Sequence, residues 1–425
     1  MKDLIRSISK AASVRNFINL SLNQGINVIV AVIATPLLYT RLGEGNYGLV
    51  NLALTIVLLS SMLVGYGFNI NGPKRLALLV NNPAEQSRLI NEVIITRLLL
   101  SLVSIVALFV AVTFLNLFQG YKSILVFSSI ILLAEAVFPM FILQGLDRLY
   151  PIALSNFITK VAYLLGLWIV VKSPEDTRWV NFLLGSIMLT TNSFLLVRIY
   201  VLNKLSFYLV TVKRVWQRIK ENFQFFSYTF AAYVMVNGGF ILLGNFVSDI
   251  ELGRYSLAHR VAILLRSIPA FIAQSILQNA SRLYDNDEKE LEAYLKKTIR
   301  NGLYITFAIG LVFAIGAPWL IYILSQEYIP FSARVLQILS FLPFLATLNL
   351  NNTIRIIVME EKSVLSRAIW LSTFSMIIIS TFGCVLFGGY GLAVAAVISE
   401  FLNFIIHRVM LKRTLNQRLS KKHLK

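Results

Sequence analysis

Leu98-Leu-Leu-Ser-Leu-Val-Ser-Ile-Val-Ala-Leu-Phe-Val-Ala-Val-Thr-Phe-Leu-Asn-Leu-Phe118 carries no charged side chain over its whole length. Coiled as a helix, with about 1.5 Å of rise per residue, it reaches about 30 Å, the thickness of a bilayer's hydrocarbon core. Runs of the same kind recur on both sides of it. Length and hydropathy predict spans at 17–38, 47–69, 98–118, 123–143, 152–171, 179–200, 225–247, 253–279, 301–324, 335–354, 368–388 and 391–410. The composition agrees: of 425 residues, 57% are hydrophobic and 14% charged, and the mean hydropathy is +0.73. A soluble domain carries about 25% charged residues, so too little polar surface exists here to face water on every side. The fold class expected is an all-α membrane protein of about twelve transmembrane helices.

The basic residues orient it. With the N-terminus inside, the even-numbered connections and both ends hold 28 lysines and arginines, Arg97 counted among them, and the opposite side holds 6. The positive-inside rule then places both termini in the cytoplasm. The same asymmetry accounts for the net charge of +19. A soluble protein this basic would suggest a phosphate backbone as partner; here the charge serves orientation and attraction to anionic lipid headgroups, and no nucleic acid is expected.

Sliding the chain against itself by 208 residues reveals two related halves. Gly45, Tyr47 and Leu49 meet Gly253, Tyr255 and Leu257, Asn71 meets Asn279, and Lys74 meets Arg282. The shift equals six spans, an even number, so the halves run parallel, as transporter repeats often do. This predicts a lobe over 1–200, a cytoplasmic linker over 201–224 and a second lobe with a basic tail over 225–425. Within the linker, Val212-Lys-Arg-Val-Trp-Gln-Arg-Ile-Lys220 reads as an amphipathic surface helix.

No phosphate-binding glycine loop and no metal-type spacing of His, Cys, Asp or Glu occurs, so neither ATP hydrolysis by such a loop nor a cofactor is expected. Polar groups within the spans are the functional signal, because a charge at mid-membrane costs about 2.5–3.5 kcal/mol on insertion scales. Asn16, Asn19, Asn23 and Asn27 recur at helical spacing in the first span beside Gln24. They either bond a neighbouring helix or line a cavity suited to sugar hydroxyls. The eighth span carries His259 and Arg266 on one face, with Arg260 about 120° round from Arg266 on an ideal helix. Guanidinium groups fork onto phosphate oxygens, so Arg266 and Arg260 are candidates for an anionic headgroup, although Arg260 can equally serve the interface. Glu135 and Lys160 lie at similar depth and read either as an ion pair or as a group coupled to an ion gradient. Glu400, Asn403 and His407 form a stripe on the last span, with Glu400 at mid-depth and His407 near the headgroups.

One stretch carries a family likeness. Leu143-Gln-Gly-Leu-Asp-Arg-Leu-Tyr-Pro-Ile-Ala-Leu-Ser-Asn156 resembles the turn between the fourth and fifth spans of the polysaccharide transporters. These include the O-antigen flippases, a branch of the multidrug/oligosaccharidyl-lipid/polysaccharide exporter superfamily. Gly45-x-Tyr47-Gly48, Gly253-x-Tyr255-Ser256-x-Ala258 and Ser281-Arg282-Leu283 are similar to that family too, whereas Gln278-Asn279 stands where many relatives carry a proline. The resemblance implies a bacterial inner-membrane flippase for undecaprenyl-diphosphate-linked repeat units, working by alternating access between two lobes. Arg266, Arg260 and Lys160 would then meet the diphosphate, while Asn19, Asn23, Gln24, Asn27 and His259 would face the sugar and Glu135 or Glu400 would couple an ion. The lipid-linked oligosaccharide, membrane lipids, a polysaccharide polymerase and chain-length machinery are its implied partners. A multidrug exporter of the same superfamily and a membrane-bound polymerase are the rivals. The first should favour acidic cavity residues, which cations outnumber here; the second needs a large extramembrane loop, which this sequence lacks.

Overall fold

Helices in this chain start and stop where the sequence supplies or withholds backbone hydrogen bonds. The computed structural model describes residues 25–79, 82–114, 119–286 and 288–423, and no strand occurs among them. Helix α1 (Gly25–Leu42) ends before Gly43, which has a positive φ, and α2 (Glu44–Gly65) follows. A second break at Tyr66 and Gly67 separates α2 from α3 (Phe68–Leu78). Helix α4 (Pro83–Thr113) opens with Pro83 in its first turn and with the Asn82 side chain accepting from the Glu85 N–H at 3.2 Å. The fourth span is broken into α5 (Lys122–Ser128), α6 (Ile130–Ala136) and α7 (Met140–Gly145), with Pro139, which has no N–H to give, at the second break. Then come α8 (Tyr150–Val170), α9 (Thr177–Leu202), α10 (Val212–Leu243), α11 (Asp249–Asn286), α12 (Glu288–Ser325), α13 (Pro330–Leu339), α14 (Leu342–Val358) and α15 (Lys362–His423).

Eleven stretches among the described residues are long and apolar enough to cross a bilayer. The last, Lys362–Arg418, is 57 residues long, about twice what one crossing needs. Gly388 breaks it with φ 55° and ψ −134°. A Cβ on Gly391 would stand 1.9 Å from the Gly383 carbonyl oxygen, although eight residues of unbroken helix would separate them by about 12 Å. The chain therefore doubles back at Gly388, and the eleven stretches supply twelve crossings, the number expected.

The chain divides into two compact units. One comprises residues 1–43 and 49–230, the other residues 44–48 and 231–425. In the first, Phe68 and Leu76 of α3, Ile90 and Val93 of α4, Phe141 of α7 and Ile199 of α9 share a buried core. The predicted surface helix over 212–220 is helical but does not stop: it is the start of α10, continuous with the next span. Its Arg218 is tied to Glu92 of α4 at 2.5 Å and to Glu221 at 2.8 Å, and Glu221 also holds Arg75 of α3 at 2.5 Å. These bonds draw the polar face of α10 onto its own unit.

In the second unit, Ile276, Ala280 and Leu283 of α11 pack with Leu291, Leu295 and Ile299 of α12 and with Ile354 of α14. Residues 44–48 join this unit through Gly48 and through Gly253, the glycine that the repeat aligned with Gly45. A Cβ on Gly253 would lie 1.9 Å from the Glu44 carbonyl oxygen, and one on Gly48 would lie 2.6 Å from the Gly253 nitrogen. Close backbone approach of this kind is how helices associate where lipid removes the hydrophobic drive. The neighbouring Arg254 bonds Glu44 at 2.8 Å.

The doubled α15 is directly testable. Gly391→Val forces its two arms apart, an overpacking worth about 1–3 kcal/mol or more. The thermal midpoint of the purified protein should fall clearly for this variant and hold for Gly316→Ala, whose Cβ would meet open space. Equal midpoints would refute the contact.

Candidate functional site

The site is built on α11. Its first turn is stabilised by Asp249 and Glu251 against the helix dipole, and the Ser248 hydroxyl accepts from the Glu251 N–H at 3.3 Å. From that start, Tyr255, His259, Ala262 and Arg266 fall on one face, because seven residues of helix turn through about 700°, close to two full turns. That face meets Gly239 and Phe240 of α10 and Ser399 and Glu400 of α15 around a cavity of about 30 Å³, space for one or two waters.

Its chemistry is a buried ion pair. Arg266 Nη2 lies 2.5 Å from Glu400 Oε2, with 16% and 3% of the two side chains exposed. The other Glu400 oxygen accepts from Asn403 Nδ2 at 3.4 Å, and His407 Nδ1 is 2.9 Å from the Asn403 carbonyl oxygen. His259 stacks on Phe240 with centroids 4.7 Å apart and lies 5.8 Å from the Tyr255 ring. The hydroxyls of Ser380 and Ser399, both on the cavity wall, are buried and have no partner among the described residues. The cavity thus combines one fixed cation, one fixed anion and unengaged hydroxyls, a set suited to a small polar guest. Among the described residues no three His, Cys, Asp or Glu side chains stand close enough together to hold a metal ion.

Three residues singled out in the sequence meet here: Arg266, His259 and Glu400 line the one cavity. Arg260 is half-buried on α11 and is not among the cavity's lining residues. Lys160, also half-buried, sits on α8 of the first unit. Asn27 lies on α1, and its carbonyl oxygen is 3.5 Å from Asn156 Nδ2 of α8, so this amide bonds a neighbouring helix. Asn16, Asn19, Asn23 and Gln24 lie outside the described residues.

Three readings change. Arg97, counted among the connection cations, lies about four turns inside α4, and its side chain is 0% exposed. Glu135 has this arginine as its partner, with Nη2 2.7 Å from Oε1. The same guanidinium also donates to the carbonyl oxygens of Glu135 and Phe138. Those carbonyls belong to the break before Pro139, where regular helix bonding is lost. Glu135 is therefore half of a structural brace at the broken span. His407, expected among headgroups, is 3% exposed. The clue to Arg97 was present in the sequence, since Glu135 and Pro139 interrupt one apolar run and call for a buried donor nearby.

Comparison with known proteins places this arrangement in a family. Residues 13–277 match the family described as "Polysaccharide biosynthesis protein". The chain belongs to that family. It is similar to the "Putative O-antigen transporter" of Shigella dysenteriae, 25% identical over 399 residues that cover 91% of this chain and 97% of the relative. The protein of the same description from Escherichia coli (strain K12) is 23% identical over 336 residues, 79% of this chain and 81% of the relative. Among solved structures, the lipid II flippase MurJ in its inward closed conformation superposes with a TM-score of 0.70 at 15% identity, covering 93% of this chain and 87% of that one. An inward-facing multidrug resistance MATE family transporter gives 0.69 at 13% identity, over 91% and 95%. At such low identity these two likenesses establish the fold.

The brace at the broken span gives a second test. Arg97→Leu leaves the Glu135 carboxylate and the Phe138 carbonyl without their donor, a loss of about 3–5 kcal/mol for a broken buried pair. Its folded yield and thermal midpoint should drop sharply, while Glu135→Gln, which keeps an acceptor for Arg97, should stay folded. A stable Arg97→Leu protein would overturn the bracing role.

Proposed function

We propose that this member of the family is a flippase that carries lipid-linked oligosaccharide repeat units across the inner membrane, with an undecaprenyl-diphosphate headgroup as the part its cations recognise. The observation that carries this reading is the similarity, over 91% of the chain, to a relative described as an O-antigen transporter. The fold alone is shared with multidrug exporters as well as with a lipid flippase, so it does not choose between them. The charge balance of the spans favours an anionic cargo. With the basic connections in the cytoplasm, the cargo would move outward, towards a polymerase and chain-length machinery that use it.

Arg266 is the residue we assign to the diphosphate. A guanidinium stays charged at any relevant pH and forks onto phosphate oxygens, so an incoming diphosphate competes with Glu400 for the same donors. Glu400 is the better of the two acidic candidates for coupling, because its partner is one that cargo can displace, whereas Glu135 is engaged by its brace. A cavity of about 30 Å³ does not admit a diphosphate, so the helices around Arg266 must part for cargo to reach it, as alternating access requires. Arg260 and Lys160 are second candidates for the same anion. Asn19, Asn23 and Gln24 would supply amides for sugar hydroxyls, joined by Asn27 once its bond to Asn156 opens, and His259 would stand beside the headgroup. No covalent step is involved.

Flipping is read in proteoliposomes by loading a fluorescent polyprenyl-diphosphate oligosaccharide and quenching the exposed leaflet. Wild-type protein should exchange the lipid far faster than empty vesicles. The double variant Arg266→Gln with Glu400→Gln keeps two hydrogen-bonding amides in place of the pair and should stay folded. It should lose about 10–100-fold in rate, the equivalent of charge-assisted bonds worth about 1.5–3 kcal/mol. Exchange no faster than in empty vesicles would sink the flippase reading; an undiminished double variant would remove Arg266 from it.

A further inference from the structure

A second basic recess lies in the second unit, away from the Arg266 cavity. Along α12, Glu292, Lys296, Ile299, Arg300 and Leu303 recur at the spacing of a single helical face. That face, with Arg355 of α14 and Phe404 and Arg408 of α15, encloses a cleft of about 470 Å³. All three helices present there the ends that lead into the basic connections and the basic tail, so the cleft lies at headgroup depth. Exposed Phe401 and Ile405 flank Phe404 and keep the adjoining helix surface apolar.

Charge in this cleft is only partly balanced by protein among the described residues. Four cations line it, Lys296, Arg300, Arg355 and Arg408, against the single carboxylate of Glu292. That carboxylate is 70% exposed and pairs with Arg355, 3.7 Å from its Nη2, so Lys296, Arg300 and Arg408 have no carboxylate partner among the described residues. Arg355 Nε is buried and has no acceptor among the described residues. The Arg408 guanidinium lies 5.8 Å above the Phe404 ring.

The first unit shows what a protein-neutralised cleft looks like. Its own basic recess is lined by Arg75, Arg88, Arg214 and Arg218. There Glu92 and Glu221 take ion pairs from all four. The shift of 208 residues that aligns the halves carries position 92 to position 300, where Arg300 stands in place of the acid. The same shift sets Lys296 opposite Arg88, while Arg355 and Arg408 are cations that the first recess does not have at the matching positions, so the second unit puts a base where the neutralising acid was.

We propose that the α12–α14–α15 cleft binds a phosphate-bearing lipid headgroup, held by Arg300, Arg355 and Arg408, with its hydrocarbon chain along the apolar helix surface beside Phe404. A phosphate oxygen supplies the acceptor that Arg355 Nε lacks and the countercharge the cleft lacks. Two lipids carry that chemistry, an anionic phospholipid of the bilayer and a polyprenyl diphosphate. The site stands independently of flipping.

Full-length protein in phosphatidylcholine nanodiscs is titrated separately with dihexanoyl phosphatidylglycerol and with farnesyl diphosphate. At least one probe should bind, and Arg300→Gln with Arg355→Gln should weaken it by about tenfold or more, as expected for charge-assisted bonds. Lys412→Gln, which removes an exposed tail charge, should change it by less than about twofold. Arg300→Gln alone, at an exposed position, replaces the double variant if that one unfolds. Binding of phosphatidylglycerol only assigns the site to a bilayer lipid; binding of farnesyl diphosphate only assigns it to the polyprenyl headgroup. Binding of neither, or binding lost in Arg266→Gln and kept in the cleft variants, overturns the proposal.

Discussion

Inside a bilayer a carbonyl that loses its helical partner finds no water, so any break in a span has to be closed by another part of the protein. The fourth span shows how far this requirement reaches. Around Pro139 the bonding shifts from four residues to three: Phe138 N–H goes to the Glu135 carbonyl and Ile142 N–H to that of Pro139. The oxygens of Ala134 and Phe138 are thereby released. Asn192 of α9 donates to the first at 3.0 Å, and Arg97 of α4 to the second at 2.8 Å. A broken helix thus fixes its two neighbours, and Glu135 keeps the fully buried guanidinium charge-balanced. Side chains also tie unbroken stretches of helix together, where Asn181 donates to the Val50 carbonyl and Thr373 to that of Ala231.

Arg266 faces the same constraint and meets it differently. Among the described residues it bonds the side chain of another helix, Glu400, and no carbonyl. A carbonyl brace is tied to backbone geometry and cannot exchange without undoing a helix. A carboxylate can be replaced by another anion with no change in the backbone. The pairs Arg97–Glu135 and Arg266–Glu400 are alike in charge and opposite in what can displace them. This difference is the physical reason for assigning transport to Arg266 and architecture to Arg97.

The crossings were legible in the sequence because length and hydropathy alone decide them, and the doubled last stretch was separable by Gly388 and Gly389 between two apolar runs. The stripe of Glu400, Asn403 and His407 and the shared face of His259 and Arg266 were legible from the helical period. Depth and partner were not. Arg97 sits one residue before an uncharged run, and hydropathy assigns such an arginine to the loop, because it has no means of counting the four turns from Pro83. His407 lies within four residues of the basic tail's first arginine-rich turns in the same way, yet it is covered by packing. Partner choice for Glu135 depended on a helix pairing between α4 and α6 that no local pattern encodes.

The last helix connects the two anion-seeking regions of the second unit. Glu400, the partner of Arg266, and Arg408, on the wall of the basic cleft, are eight residues apart on the second arm of α15. Eight residues of helix rise about 12 Å and leave the two side chains about 80° apart around the axis. A headgroup in the cleft would therefore lie two turns from the cavity and off its line of sight, with Asn403 between them on the bonded stripe. An anion arriving from the side of the basic connections would meet first the cleft, where one exposed carboxylate faces four cations, and only later Arg266, which Glu400 already occupies. On the proposed function, loose capture followed by competitive exchange would follow from that order. It needs no difference in the arginines themselves, only in whether a carboxylate has reached them first.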